Sequence, residues 1–270
     1  MSTADNSPAV AEGQTRIGAV VLAGGFAPPT LRHLGASRAL FSLHGRLMVD
    51  YIVDALEGTS SISAIAVVAP ELVLKELHHL AVFHAISGKG LVETMRQGAK
   101  VLASQRLTHL LFLTEDIPLI TSTALESYIR SSLESGASLT YPIIPRSACE
   151  QRFPGAKRTY VRLKENTFTG GNAIFTTTSF LDNKGGLIRD VYNMRKHPLK
   201  LAGLLGWGTL ARLLLGTLTL PAIESVAGRI LGAPARAIIT PHPELGFDVD
   251  KVDDLDIVEQ ALANPRGIIR

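Results

Sequence analysis

The stretch VVLAGGFAPPTLRHLGASRALFSLHGRLMVDYIVDAL, residues 20–56, begins as an apolar run, breaks at a glycine pair and passes through a basic loop into a helical pattern. An apolar run without alternation marks a strand covered on both faces, as in sheets flanked by helices. Gly24 and Gly25 lack a Cβ, so their backbone N–H groups can approach an anion closely. Arg32 and Arg38 follow, and a guanidinium fork matches phosphate oxygens. The spacing is neither GxGxxG nor a P-loop, and Pro28-Pro29 stiffens the middle of the loop. Alone, this stretch is equally a tight strand-to-helix turn with two solvated arginines.

Outward from it, apolar β-rich runs recur at 17–23, 62–70, 108–114 and 235–240, with helical patterns at 45–57, 71–80, 91–105 and 121–135 between them. Strand-helix alternation with short connections predicts an α/β protein, a three-layer α/β/α Rossmann-like fold with a mostly parallel sheet. The 270 residues, 46% hydrophobic and 19% charged, suffice for one large domain. Residues 1–16 are polar and read as a disordered tail, leaving 17–270 as a single domain. A portion at about 146–234 changes character and reads as an insertion, part of it antiparallel and covering a sheet edge. A net charge of +3 suits anionic small molecules or a membrane surface and is too weak to argue for nucleic acid. The single cysteine, Cys149, excludes an internal disulfide and fits a reducing, cytoplasmic setting as a small packed residue.

Two acidic stretches complete the pattern. In LLFLTEDIPLIT (110–121) an apolar strand ends at Glu115-Asp116, and carboxylates at that end of a parallel strand face the ligand crevice. Pro118 stops the ladder there, and Thr121 is the better N-cap for the next helix, which leaves Asp116 free. In ELGFDVDKVDDLDIVEQAL (244–262) Asp248 and Asp250 lie two apart on an extended segment and share a face. Asp253 and Asp254 suit a helix start. Asp116, Asp248 and Asp250 are thus candidate Mg²⁺ ligands, since one or two carboxylates with substrate phosphates commonly hold that ion. His78, His79 and His84 do not fall on one helical face, so a zinc site is not expected.

The apolar LAGLLGWGTLARLLLGTLTL (201–220) carries one charge, Arg212. Its length approaches a bilayer span, but a mid-span arginine opposes that. A pair of packed core helices broken near Pro221 is the plainer reading. The alternative is a helical element that touches a membrane surface or lines a greasy acceptor site, with RKHPLK (195–200) at anionic lipid.

Taken in order, LAGG (22–25), RALFSLHGRLMVDYIVDAL (38–56), GKGLVETMRQGAKVL (88–102), TEDIPLIT (114–121) and the DVDKVDDL segment (248–255) resemble the NTP-transferase superfamily of glycosyltransferase-A type fold. The nearest branch is the molybdenum-cofactor guanylyltransferase-like nucleotidyltransferases. The likeness covers roughly 17–145 and 235–262. It implies that Leu22, Ala23, Gly24, Gly25, Gly90 and Thr94 contact a nucleotide. It implies that Arg32 and Arg38 hold the triphosphate, with Arg38 where the family has lysine, and that Asp116, Asp250 and Asp248 hold Mg²⁺. The substrates implied are an NTP and a phosphorylated small-molecule or lipid-like acceptor. Arg158 and Lys164, from a run of six basic residues at 146–164, and Gly170, Gly171 and Asn172 of the FTGGN turn are its candidate acceptor contacts. The alternatives are a glycosyltransferase of the same fold, or a non-catalytic nucleotide-binding, membrane-associated module.

Overall fold

The computed structural model describes residues 15–183 and 206–264. Most of the expected tail, the RKHPLK segment and the first five residues of the apolar stretch lie outside the described residues.

A mixed sheet carries the fold, in the order β5-β4-β1-β6-β10-β7-β9-β8, with β11 also paired to β7, while the short β2 (Ser42–Leu43) and β3 (Arg46–Leu47) pair only with each other. Its parallel half is β1 (Ile17–Leu22), β4 (Ile62–Ala69), β5 (Phe83–Ile86) and β6 (His109–Thr114). All six residues of β1 are buried, as its unbroken apolar run requires. Helices α1 (Met48–Glu57) and α4 (Ser122–Glu134) cover one face of the sheet, and α3 (Leu91–Val101) covers the other. Thr121 caps α4 as expected, its hydroxyl accepting from Ala124 N–H at 3.2 Å. Helix α2 (Glu71–Glu76) ends before His78, because the chain turns there to enter β5, a short edge strand with no sequence signal.

The second half is where expectation and structure part. Strands β7 (Leu139–Pro145), β8 (Val161–Arg162) and β9 (Thr167–Gly170) extend the sheet, with α5 (Arg146–Arg152) between β7 and β8. β8 and β9 do lie at the edge, antiparallel. β10 (Ala173–Thr177) does not: it runs antiparallel between β6 and β7, well inside the sheet. Residues 146–234 therefore supply a central strand as well as an edge. The sequence reading missed it because AIFTT is short and shares the apolar and Thr-rich character of a surface hairpin.

The apolar stretch ends in two short helices, α6 (Trp207–Leu214) and α7 (Leu220–Leu231), broken at Gly216 with φ of 64°. Pro221 lies in the first turn of α7, where a missing N–H costs nothing. They are not both core helices, since Leu214 and Leu215 are 80% and 75% exposed. No helix among the described residues is long and apolar enough to cross a membrane. α7 is tied to the outer edge of β11 (Ala235–Ile239) by Glu224, whose carboxylate accepts from Ala237 N–H at 2.9 Å. That satisfies an edge donor which would otherwise be open to pairing.

Close packing of α3 on the sheet rests on one residue. A Cβ on Gly98 would lie 2.3 Å from Val20 Cγ1 and 3.1 Å from Val68 Cγ2. Both partners are buried strand side chains with no room to withdraw. We expect Gly98→Ala to destabilise the protein by about 1–3 kcal/mol through overpacking. That outweighs the roughly 1 kcal/mol that alanine gains in helix propensity. Urea denaturation checks it, and a raised midpoint would show that the helix can lift off the sheet without penalty.

Candidate active site

The parallel register aligns the strand ends that build the site. Leu22 pairs with both Val68 and Thr114, so the glycine loop after β1 and the Glu115-Asp116 turn after β6 emerge on one edge. In open α/β sheets this is the edge where ligands bind. The antiparallel β10 starts at the same edge, with Thr114 N–H donating to Asn172 O at 3.2 Å.

A strap after β11 then crosses that edge. Asn172 N–H donates to Leu245 O at 2.7 Å, and Val249 N–H donates to Asp116 O at 2.9 Å. The Val249 side chain is fully buried, so the alternation of an extended chain turns Asp248 and Asp250 to the crevice. Asp254, in the first turn of α8 (Val252–Ala263), accepts from Asp250 and Lys251 N–H at 3.1 and 3.0 Å and fixes the end of the strap. One oxygen from each of Asp116, Asp248 and Asp250 lies within 4.8 Å of the other two. The three sequence candidates for a metal thus converge. Among the described residues this is the only such acidic or histidine group, and His79 instead bonds Asp50 at 3.0 Å.

Arg38 stands among these acids. Its Nη1 is 2.5 Å from Asp116 Oδ2 and 3.0 Å from Asp250 Oδ1, and its Nε is 3.6 Å from Glu115 Oε1. Burial works against its charge, but Asp116, Glu115 and Asp250 outweigh that and raise its pKa. Arg38, expected on the triphosphate, is in this structure the counter-charge of the carboxylates. Arg32 is exposed on the 3₁₀ turn Pro29–Leu34.

Burial raises the Asp116 carboxyl above the usual range, opposed by Arg38 and by the Thr114 hydroxyl, which donates to it at 2.6 Å. Glu115 is pushed up to about 7 by burial and by Asp116, against the pull of Arg38. Its role was missed in the sequence, where it looks like a twin of Asp116. Its carboxyl turns back under the glycine loop and packs directly against Gly25. Asp248 also reaches about 7, through burial and Asp116, although Arg158 holds it at 2.7 Å.

The candidate acceptor residues divide. Arg158 is buried between Asp248 and Asp254, with its guanidinium 4.1 Å over the Phe247 ring. Gly170, Gly171 and Asn172 line a polar cleft of about 420 Å³ together with Tyr141, Lys157 and Lys251. Lys164 is exposed in the β8–β9 turn and lines no part of that cleft. On the other flank, Gly90 precedes α3 with φ of 109°, and the buried Thr94 hydroxyl donates to Gly90 O at 2.9 Å. Thr94 thereby shapes the 88–90 turn, and its hydroxyl is already occupied.

The relatives agree with this architecture. A family model for the MobA-like NTP transferase domain matches residues 19–242. A solved structure described as a hypothetical transferase from Thermus thermophilus is 39% identical, with a TM-score of 0.79 over 89% of this chain and 100% of its own. A CMP:2-keto-3-deoxy-manno-octonic acid synthetase complexed with CTP has a TM-score of 0.63 at 12% identity, over 93% of this chain and 100% of its own. A nucleotidyl transferase from Methanothermobacter thermautotrophicus has a TM-score of 0.58 at 14% identity, over 94% and 100%. These last two likenesses establish the fold alone. No curated protein matches the sequence. The chain belongs to the family of MobA-like NTP transferase domains and is a nucleotidyltransferase.

Proposed function

We propose that this nucleotidyltransferase moves a nucleoside monophosphate from an NTP to a phosphorylated acceptor, with Mg²⁺, and releases pyrophosphate. The observation that carries the reading is the convergence of Asp116, Asp248 and Asp250 beside the Gly24-Gly25 loop. The donor set fits the ion: three hard carboxylate oxygens, one of them buried and compensated by a single guanidinium. When bound, Mg²⁺ neutralises charge on the α-phosphate and orients it.

The chain's own residues do the rest. The backbone of Ala23–Gly25 and Arg32 hold the triphosphate and steady charge on the leaving pyrophosphate. Arg38 yields its carboxylate oxygens to a ligand and turns its fork to phosphate, a move that its side chain permits. An acceptor phosphate oxygen forms the new bond to the α-phosphorus, and the Pα–O–Pβ bond breaks with its electron pair on pyrophosphate. A phosphate anion carries no proton on the attacking oxygen, so no general base is required. Lys157, Lys251 and the Gly170–Asn172 turn receive the acceptor's phosphate in the polar cleft. A glycosyltransferase reading has no use for a triphosphate wall.

Pyrophosphate release with each of the four NTPs tests the reaction. Asp116→Asn is expected to lower it by on the order of a hundredfold or more, as loss of one charge-stabilising group does. It should also erase the extra thermal stabilisation that Mg²⁺ adds to that of the NTP. Hydrolysis of a nucleotide sugar without pyrophosphate would sink the transferase reading.

The two loop glycines are not equivalent. A Cβ on Gly25 would lie 1.8 Å from Glu115 Oε1 and 2.9 Å from Arg38 Nη2, whereas one on Gly24 meets nothing closer than Ser87 Cβ at 3.7 Å. Gly25→Ala is therefore expected to lower the melting temperature of the free protein, and Gly24→Ala to leave it unchanged. Equal melting temperatures for the two variants would contradict the packing of Glu115 under the loop.

Glu115 also gives a pH signature. Its folded pKa of about 7 exceeds the ordinary carboxylate value, so the folded state binds the extra proton between the two. The stability it contributes is present below about pH 4.5 and is lost as pH rises through 7. In EDTA, melting temperature should fall from pH 5.5 to 8 more steeply in the wild type than in Glu115→Gln. Parallel curves would place Glu115 in a hydrated setting.

A further inference from the structure

Beside the polar cleft lies a second cavity, of about 370 Å³ and almost wholly apolar. It sits between the inner face of α7 and the sheet. Leu220, Ile223, Ala227 and Leu231, spaced as one face of a helix, form its roof. Leu139, Tyr141 and Ile143, the alternate residues of β7, form its floor, and the small Ala235 and Ala237 of β11 leave its end open in volume. The slot is open to solvent at its rim, where Tyr141 and Val161 are exposed, and a concave apolar surface left uncovered in this way marks a binding groove. Dry apolar cavities bind apolar ligands, and this volume falls in the range of ligand pockets.

The occupant follows from what the cavity adjoins. Tyr141, Val161, Thr169 and Gly170 line both the apolar cavity and the polar cleft that runs to Asp248 and Asp250. Tyr141 joins them as an amphipathic residue does, with an apolar ring and a polar tip. Gly170 makes this possible, because a Cβ there would lie 2.5 Å from the Tyr141 hydroxyl. Polar groups for a phosphate and an apolar slot for a hydrocarbon thus share one wall.

We propose that the acceptor is an amphiphilic phosphate, whose hydrocarbon part lies between α7 and β7 while its phosphate faces Asp248 and Asp250. This rests on the nucleotidyl-transfer reading above and narrows its acceptor class. The cationic side chains Lys157 and Lys251 at the cleft suit the phosphate end. The slot lies between two layers of the fold, which fits a narrow chain better than a flat protein partner.

Butyl, octyl and dodecyl phosphate, kept below their micellar concentrations, serve as probes in titration calorimetry with the full chain. Affinity is expected to rise on the order of a hundredfold from butyl to octyl phosphate, as burial of four methylenes gives. Ala227→Trp fills the slot and should remove that gain while butyl phosphate binding is kept. Ala237→Leu does the same from the sheet side, should the first variant fold poorly. Affinity that does not depend on chain length in the wild type, or a gain that survives both folded variants, overturns the proposal. Chain-length dependence that appears only after residues 195–205 are replaced by a glycine-serine linker overturns it in favour of an intramolecular occupant. A dimer that Ala227→Trp dissociates, with no chain-length dependence, overturns it in favour of a second copy. Stabilisation by NTP with Mg²⁺ is read in parallel and reports on nucleotidyl transfer separately. A chain-length effect without it removes the transferase reading and leaves an amphiphile site, whereas NTP binding without a chain-length effect does the reverse.

Discussion

The charge balance of the site depends on the Arg38 guanidinium. Asp116, Asp250 and Glu115 all lie within ion-pair distance of it, and two of the three are almost fully buried. Buried carboxylates so close together cannot all stay ionised without a cation. Arg38 supplies one from a loop that is held in place by the Phe26–Ser37 bridge and by Ala27 N–H to Ala36 O at 2.9 Å. Arg158 does the same for Asp248 and Asp254 from the opposite wall. Each wall of the crevice thus brings its own arginine to acids contributed by other segments. Both short contacts come from the one Nη1, while Nε lies 3.6 Å from Glu115, so the planar guanidinium spreads its charge over three acids where an ammonium is a point charge.

The two flanks of the crevice differ in character. One is largely backbone, with Gly25 packed on Glu115 and Thr94 spent on its own helix. The other is made of side chains, with a polar cleft and an apolar cavity sharing four residues. On the proposed reading, backbone contacts suit the constant triphosphate, and side chains suit an acceptor that can differ between proteins of one fold.

Much of the fold was legible in the sequence because its strands are buried on both faces. β1, β4, β6 and β11 announce themselves as apolar runs, and their bounds hold to within about a residue. β5 and β10 did not, since a short edge strand with a histidine and a short Thr-rich central strand lack that signal. The three aspartates were legible because each precedes or follows a clear element boundary. Their convergence was not, because it rests on Val249 reaching Asp116 across the sheet edge. Glu115 was hidden for a related reason: neighbours on an extended chain point to opposite sides, so adjacent acids need not share a task. Lys164 shows the reverse failure, where proximity in a basic run did not become proximity in space.

The place of β10 has a consequence for how the protein is made. The sheet cannot grow in the order of synthesis: β7 leaves the ribosome before β10, yet β10 lies between β6 and β7. The parallel strands β5, β4, β1 and β6 pair with one another and can collapse early, leaving the outer edge of β6 open for β10. The second half must wait for residues 173–177, and then for the strap at 241–250 to cross the edge and bring Asp248 and Asp250 to Asp116. Such long-range closure is slow and comes last. A chain truncated before the strap would keep Arg38 beside Glu115 and Asp116 but would lack the two acids, Asp248 and Asp250, that complete the cluster.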